Sequence, residues 1–201
     1  MGKWAVGCGV ILVGVALVLG LAVAGGYNSL VSLDQAVQAQ WGQVENVYQR
    51  RADLVPNLVE TVKGAAAFEK DTFTAVTEAR SRVGQVAGTG APVPSDPAAF
   101  AKFQQAQDGL SSALSRLLVV VEKYPELKAT ANFRELQAQL EGTENRIAVE
   151  RMRFNETAQA FNTRRQSFPT VLFAGFFGDR FREKVYFKAA AGAETAPKVK
   201  F

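Results

Sequence analysis

The chain has 201 residues, enough for one compact domain or two very small ones, and its 48% hydrophobic content can build a core that a disordered chain could not. It has no histidine and one cysteine, which excludes zinc sites, histidine-ligated haem, Ser-His-Asp and Cys-His catalysis and any intramolecular disulfide. Residues 27–169 balance 16 Lys/Arg against 16 Asp/Glu, so the net charge of +4 comes from Lys3 and the last 32 residues and does not describe a nucleic-acid groove.

The first element is a membrane segment. Trp4 to Ala24 carries no charged side chain, and 21 residues at about 1.5 Å each span roughly 31 Å, the thickness of a bilayer's hydrocarbon core. Ala22-Val23-Ala24 has the small-x-small form that signal peptidase accepts, but the apolar stretch is longer than the core of a usual signal, so the expectation is an uncleaved anchor. Ala16, Gly20 and Ala24 recur every four residues and give a smooth face on which a second helix can pack, although membrane helices are rich in small residues in any case. No apolar core precedes Cys8, so it reads as an ordinary intramembrane cysteine and not as an acylation site. Lys3 on one side, with the first basic residue on the other side at Arg50, keeps the N-terminus in the cytoplasm and sends the body outside.

From Leu30 onward apolar residues advance by three and four, and no segment alternates with period two. Leu30, Leu33, Val37, Trp41, Val44, Tyr48, Val55, Leu58 and Val62 form one stripe, interrupted where Arg51 takes its turn. Phe100, Phe103, Leu110, Leu114, Leu117 and Val121 form a second, with Gln107 in its gap. Phe133, Leu136, Leu140, Ile147, Phe154, Ala158 and Phe161 form a third. Lys63-Gly64 suits a left-handed helix end, Asp96-Pro97 an N-cap with a first-turn proline, and Tyr124-Pro125 and Phe168-Pro169 are breaks. Pro56 lies within an unbroken stripe and predicts a kink.

These signals predict four helices, over 27–63, 66–87, 97–123 and 127–168, two long and two short. Their short connections imply an antiparallel up-down four-helix bundle, all-α, preceded by one transmembrane helix. The domain plan is an anchor (1–26), the bundle (27–169), an aromatic and basic tail near the membrane (170–188) and a flexible C-terminus (189–201). Because the middle helices are short, the membrane end of the bundle is expected to be two helices thick. That leaves Leu30, Val37, Trp41 and Phe161 partly uncovered and available, with the small-residue face of the anchor, to a second copy of the chain.

The residues also resemble a known family. Tyr27-Asn28, the run Arg50-Arg51-Ala52-Asp53-Leu54-Val55-Pro56-Asn57-Leu58-Val59, and Thr61-Val62-Lys63-Gly64 are similar to the first helix of the LemA family. Tyr124-Pro125-Glu126-Leu127-Lys128-Ala129, Asn132-Phe133, Thr143-Glu144-Asn145-Arg146-Ile147, Arg151, Phe154-Asn155 and Phe161-Asn162 are similar to its last. The resemblance spans about residues 25–175. It implies a single-pass bacterial membrane protein of the inner membrane carrying an antiparallel four-helix bundle.

Read directly, the polar members of these motifs form a seam. With the outer helices antiparallel, Arg50 and Arg51 fall beside Leu140 to Glu144, where Glu141 and Glu144 can accept from the guanidiniums, and Asn57, Asn145 and Asn155 can satisfy neighbouring helix side chains. Such groups fix register at some cost in stability. The tail interleaves Phe173, Phe176, Phe177 and Phe181 with Arg180, Arg182 and Lys184, a mixture that suits either a membrane interface or packing on the end of the bundle. No residue set supports catalysis, a cofactor, a metal ion or a small-molecule substrate. The expected function is a membrane-anchored scaffold that self-associates or holds other membrane proteins. The alternative is a lipid-binding or membrane-organising protein that acts through its tail.

Overall fold

The computed structural model describes residues 2–64, 69–87 and 95–188. The expected flexible end at 189–201 and most of the loop after residue 87 lie outside these residues. Within them the chain is all-helical: α1 Gly2–Lys63, α2 Lys70–Ala87, α3 Pro97–Val121, the single turn α4 Pro125–Lys128, and α5 Ala131–Gln166. Two 3-10 segments, Thr170–Leu172 and Ala174–Phe181, are followed by an extended run to Lys188.

The anchor and the first bundle helix are one element. At 1.5 Å per residue the 62 residues of α1 make a rod of about 93 Å. It runs through Pro56 without a break. Gly64 does not adopt a positive φ, and its N–H donates to the Glu60 carbonyl (3.4 Å), completing an ordinary last turn in place of the expected left-handed cap. Asp96 caps α3, its side chain accepting from the N–H groups of Ala98 (2.8 Å) and Ala99 (3.3 Å) ahead of Pro97. The expected helix 127–168 is divided: α4 ends at Lys128, and Thr130 caps α5 by accepting from the Phe133 N–H.

Cross-helix contacts set the directions. Ser29 meets Arg164, Gln40 meets Glu150 and Arg51 meets Glu144, so α1 and α5 run antiparallel. Trp41 meets Phe100 and Tyr48 meets Phe103, so α3 runs parallel to α1. Arg80 of α2 donates to the Ala52 carbonyl (3.0 Å), tying α2 to the upper part of α1.

The core has two parts. The distal part joins Val55, Leu58 and Val62 to Phe73 and Val76 of α2, Leu114 and Leu117 of α3, and Phe133 and Leu140 of α5. The membrane-proximal part joins Leu30, Val37, Trp41 and Val44 to Phe100 and Phe103 of α3 and to Phe154, Ala158 and Phe161 of α5. Ala174, Phe181 and Phe187 of the C-terminal segment complete it. The expected two-helix end is therefore covered, because the chain turns back after α5 and lies along the α1–α5 groove. Leu30, Val37, Trp41 and Phe161 are buried by the chain itself and present no surface to a second copy.

Candidate functional site

Three polar or exposed features stand out on this scaffold: a buried arginine between the two cores, a lock that holds the C-terminal strap, and an apolar turn at the membrane end.

Arg51 occupies the gap in the first apolar stripe and is 1% exposed. One terminal nitrogen donates to Ser111 Oγ and Glu144 Oε1, both at 2.8 Å. The other donates to the Gln107 side-chain oxygen (2.6 Å) and its main-chain carbonyl (3.2 Å). The guanidinium lies 5.1 Å from the centre of the Tyr48 ring. One cation thus ties α1 to α3 and α5 at the level where the distal core ends and the proximal core begins. A planar fork of donors suits this task, and an ammonium would not reach all four acceptors. Burial pushes the Tyr48 hydroxyl above its ordinary pKa, opposed by the nearby positive charges of Arg151 and Arg51, so the ring stays neutral beside the hub.

The second feature is the lock on the strap. Lys184 is buried and pairs with Asp34 of α1 at 2.7 Å. Its Nζ also donates to Ser95 Oγ (3.0 Å) and sits 4.8 Å from the Phe161 ring centre. On α5, Asn162 donates to the Lys184 carbonyl (2.9 Å) and accepts from its N–H (2.8 Å), and Asn155 grips Phe187 in the same two-handed way (3.0 and 2.9 Å). The spacing has a simple origin. Seven residues on a helix advance about 10.5 Å, and the three residues from Lys184 to Phe187 in extended geometry advance about 10 Å. Arg165 and Arg151 bond the carbonyls of Phe181 and Lys188 at either end of the strap. Between these clamps Phe187 stacks on Trp41, with ring centres 6.1 Å apart and planes at 16°.

The third feature is the turn that feeds the strap. Tyr27 packs against Phe177 and Phe181, and Arg180 donates to the Tyr27 hydroxyl at 2.8 Å. Gly178 has φ +61° and ψ −145°, a region open to glycine, and this kinks the second 3-10 segment between its two halves, ahead of the strap. Phe173 is half-buried beside Gly26, while Phe176 faces solvent.

The expected polar seam is thus brought together in part. Arg51 and Glu144 meet. Glu141 does not join them; it is exposed and accepts from Gln137 (3.0 Å) one turn away. Arg50, Asn57 and Asn145 are exposed on the outer faces of their helices, and Asn155 serves the strap's main chain in place of a helix side chain. Of the tail residues, expected either at a membrane interface or packed on the end of the bundle, Phe181 and Lys184 are buried in the strap, and Arg182 is exposed. Asp34, Gln107, Ser111 and Asn162 serve as partners that the sequence expectations do not include. Arg51 and Gln107 each interrupt an apolar stripe, and Asp34 falls four residues after Leu30 and three before Val37. Polar residues inside apolar stripes were the signal available.

Ala16, Gly20 and Ala24 are exposed on α1. This helix is the one among the described residues long and apolar enough to cross a membrane, and its apolar window is not buried against the rest of the fold. Among the described residues no three His, Cys, Asp or Glu side chains group so as to hold a metal ion.

An exposed apolar helix that continues into a helical bundle, with its buried charges committed to joining helices and strap, defines a membrane-associated bundle protein. The profile of the LemA family matches residues 40–201, and the chain belongs to that family. It is similar to magnetosome proteins MamQ 2 and MamQ 1 of Paramagnetospirillum magneticum and to magnetosome protein MamQ of Magnetospirillum gryphiswaldense. Each is 28% identical over 185 residues, covering 84% of this chain and 67% of the relative.

Proposed function

We propose that this protein is a membrane-anchored helical scaffold that self-associates or holds partner proteins at the bacterial inner membrane, with its bundle on the extracytoplasmic side. The observation that carries this reading is the continuity of α1, which joins an exposed apolar span to the bundle as one helix. A protein built this way presents the outer faces of its bundle at a fixed height above the bilayer. The internal use of its buried charges supports a structural role for them: Arg51 and Lys184 bind other parts of the same chain. Self-association is assigned to the Ala16, Gly20 and Ala24 face of the anchor, because small residues let helices approach closely in lipid and because Trp41 and Phe161 are covered. The similarity to magnetosome proteins is consistent with a membrane-organising scaffold.

Chemical cross-linking in native membranes, followed by light scattering of the detergent-extracted protein, tests the reading. A dimer or larger assembly that Gly20→Leu dissociates, or a defined cross-linked partner, is the expected result. A monomer that cross-links to nothing contradicts it. The side of the membrane is tested separately with Ala138→Cys in a Cys8→Ala background, since Ala138 is exposed on distal α5. An impermeant thiol reagent should label it in spheroplasts, and labelling only after lysis would place the bundle in the cytoplasm.

A further inference from the structure

The turn after α5 exposes apolar side chains that neither the hub nor the strap uses. Phe176 is 88% exposed and Phe168 77%, and Leu172 and Val171 are also exposed, all within nine consecutive residues. Their neighbours Phe173, Ala174 and Phe177 turn inward on α1 and the strap. The segment therefore divides its apolar residues between two directions, one of them away from the protein.

Its position is fixed by α1. The Phe173 ring occupies the space that a Cβ at Gly26 would need, and Thr170 Oγ1 lies 3.4 Å from the same point. Gly26 follows Ala24, the last residue of the 21-residue apolar segment, by about 3 Å of helix rise. The exposed turn is thereby held within about one helical turn of the hydrocarbon boundary, the depth at which apolar faces of interfacial segments reside. Arg180 beside Tyr27 and Arg164 beside Ser29 flank it at the same level, where cations meet lipid phosphates.

We propose that residues 168–176 form a docking collar that inserts Phe168, Val171, Leu172 and Phe176 into the headgroup–acyl boundary of the bilayer that α1 crosses. The occupant is lipid. The collar gives the protein a second attachment to the membrane beside the anchor and braces the base of the bundle against tilting. This goes beyond the scaffold reading, rests on α1 crossing the bilayer, and holds whichever side the bundle occupies.

The test uses the full chain in phosphatidylcholine–phosphatidylglycerol proteoliposomes. A small environment-sensitive fluorophore is placed at Leu172→Cys or Phe176→Cys, each in a Cys8→Ala background, with Ala138→Cys as the distal reference. The native Cys8, labelled in the unsubstituted chain, reports whether α1 is inserted. Lipids carrying a shallow nitroxide should quench the labels at 172 and 176 and leave 138 unaffected, and aqueous iodide should quench 172 and 176 several-fold less than 138. Iodide quenching at 172 and 176 equal to that at 138, with Cys8 still quenched by deep nitroxide lipid, would overturn the collar while leaving the anchor intact. Protection from iodide without quenching by lipid, rising with the protein-to-lipid ratio, would assign the turn to a second copy and would equally overturn it. If Cys8 itself escaped deep quenching, the anchor would fail and the collar with it.

Discussion

Replacing Lys184 with methionine should undock the strap. The side chain of Lys184 is 3% exposed and that of Asp34 8%, at a separation of 2.7 Å. Asp34 Oδ2 keeps its bond from Gln38 (2.8 Å), but Oδ1 loses its cation inside the protein. Methionine retains most of the lysine stem against Phe161, so the loss is electrostatic and not a cavity. Removing one member of a buried pair costs about 3–5 kcal/mol, because the other charge is left without compensation. That cost falls on the strap and the proximal core, since none of the distal core residues belongs to the strap. Trp41 is the reporter, because Phe187 stacks on it from the strap. In a Trp4→Phe background in mild detergent, the Trp41 emission of the variant should shift to the red at lower guanidinium than the loss of helical circular dichroism. The double variant Asp34→Leu/Lys184→Met removes both charges and should recover to within about 1 kcal/mol of the parent or exceed it. A single variant that loses under about 1 kcal/mol, or a double variant as weak as the single, would refute the reasoning.

Arg51→Ala leaves the buried Gln107 side chain without its donor, while Glu144, whose side chain is 43% exposed, turns to water, and should lower overall stability by about 1–3 kcal/mol, read from thermal unfolding in detergent. Arg51→Lys keeps the charge but loses the fork, and should recover less than half of that loss. Gly178→Ala places a side chain where φ is +61° and should cost about 1–3 kcal/mol, with strap release detected first at Trp41. Folded Tyr48 holds its proton to higher pH than an unfolded tyrosine, so its contribution is intact below the ordinary value of 10.0 and is lost as pH rises through the raised folded value. Unfolding melts taken across pH 9–11 should therefore fall less steeply for Tyr48→Phe than for the parent, an approximate window set by that linkage.

The helices were legible because each buries one stripe, and a stripe on a helix shows in sequence as steps of three and four. Caps at Asp96 and the break before Pro125 were legible because they depend on local backbone chemistry. The strap was not. Its register depends on Asn155 and Asn162 matching helix rise to strand rise, a relation between two segments that no local pattern records. Lys184 looks like a surface residue in a basic tail, and only the return of the chain along α1 brings it to Asp34. The expectation of a subunit contact at Trp41 and Phe161 followed correctly from a seam left open by two helices. It failed because the chain closes that seam with its own C-terminal residues. Within the polar motif, Arg51 and Arg50 are adjacent in sequence but about 100° apart around α1, so one enters the core and the other does not.

The account depends most on α1 being a single rigid element from the bilayer into the bundle, with Gly25-Gly26 helical at the boundary. Electron–electron distance measurement between spin labels at Leu17→Cys and Asn46→Cys, in a Cys8→Ala background in lipid nanodiscs, tests this directly. Both positions are exposed on α1, and the 29 residue steps from one to the other correspond to about 44 Å of unbroken helix. The account predicts one narrow distribution near that distance, allowing for the label arms. A broad, bimodal or clearly shortened distribution would mean that α1 bends between the membrane and the bundle, and would contradict a scaffold held at fixed height by its anchor.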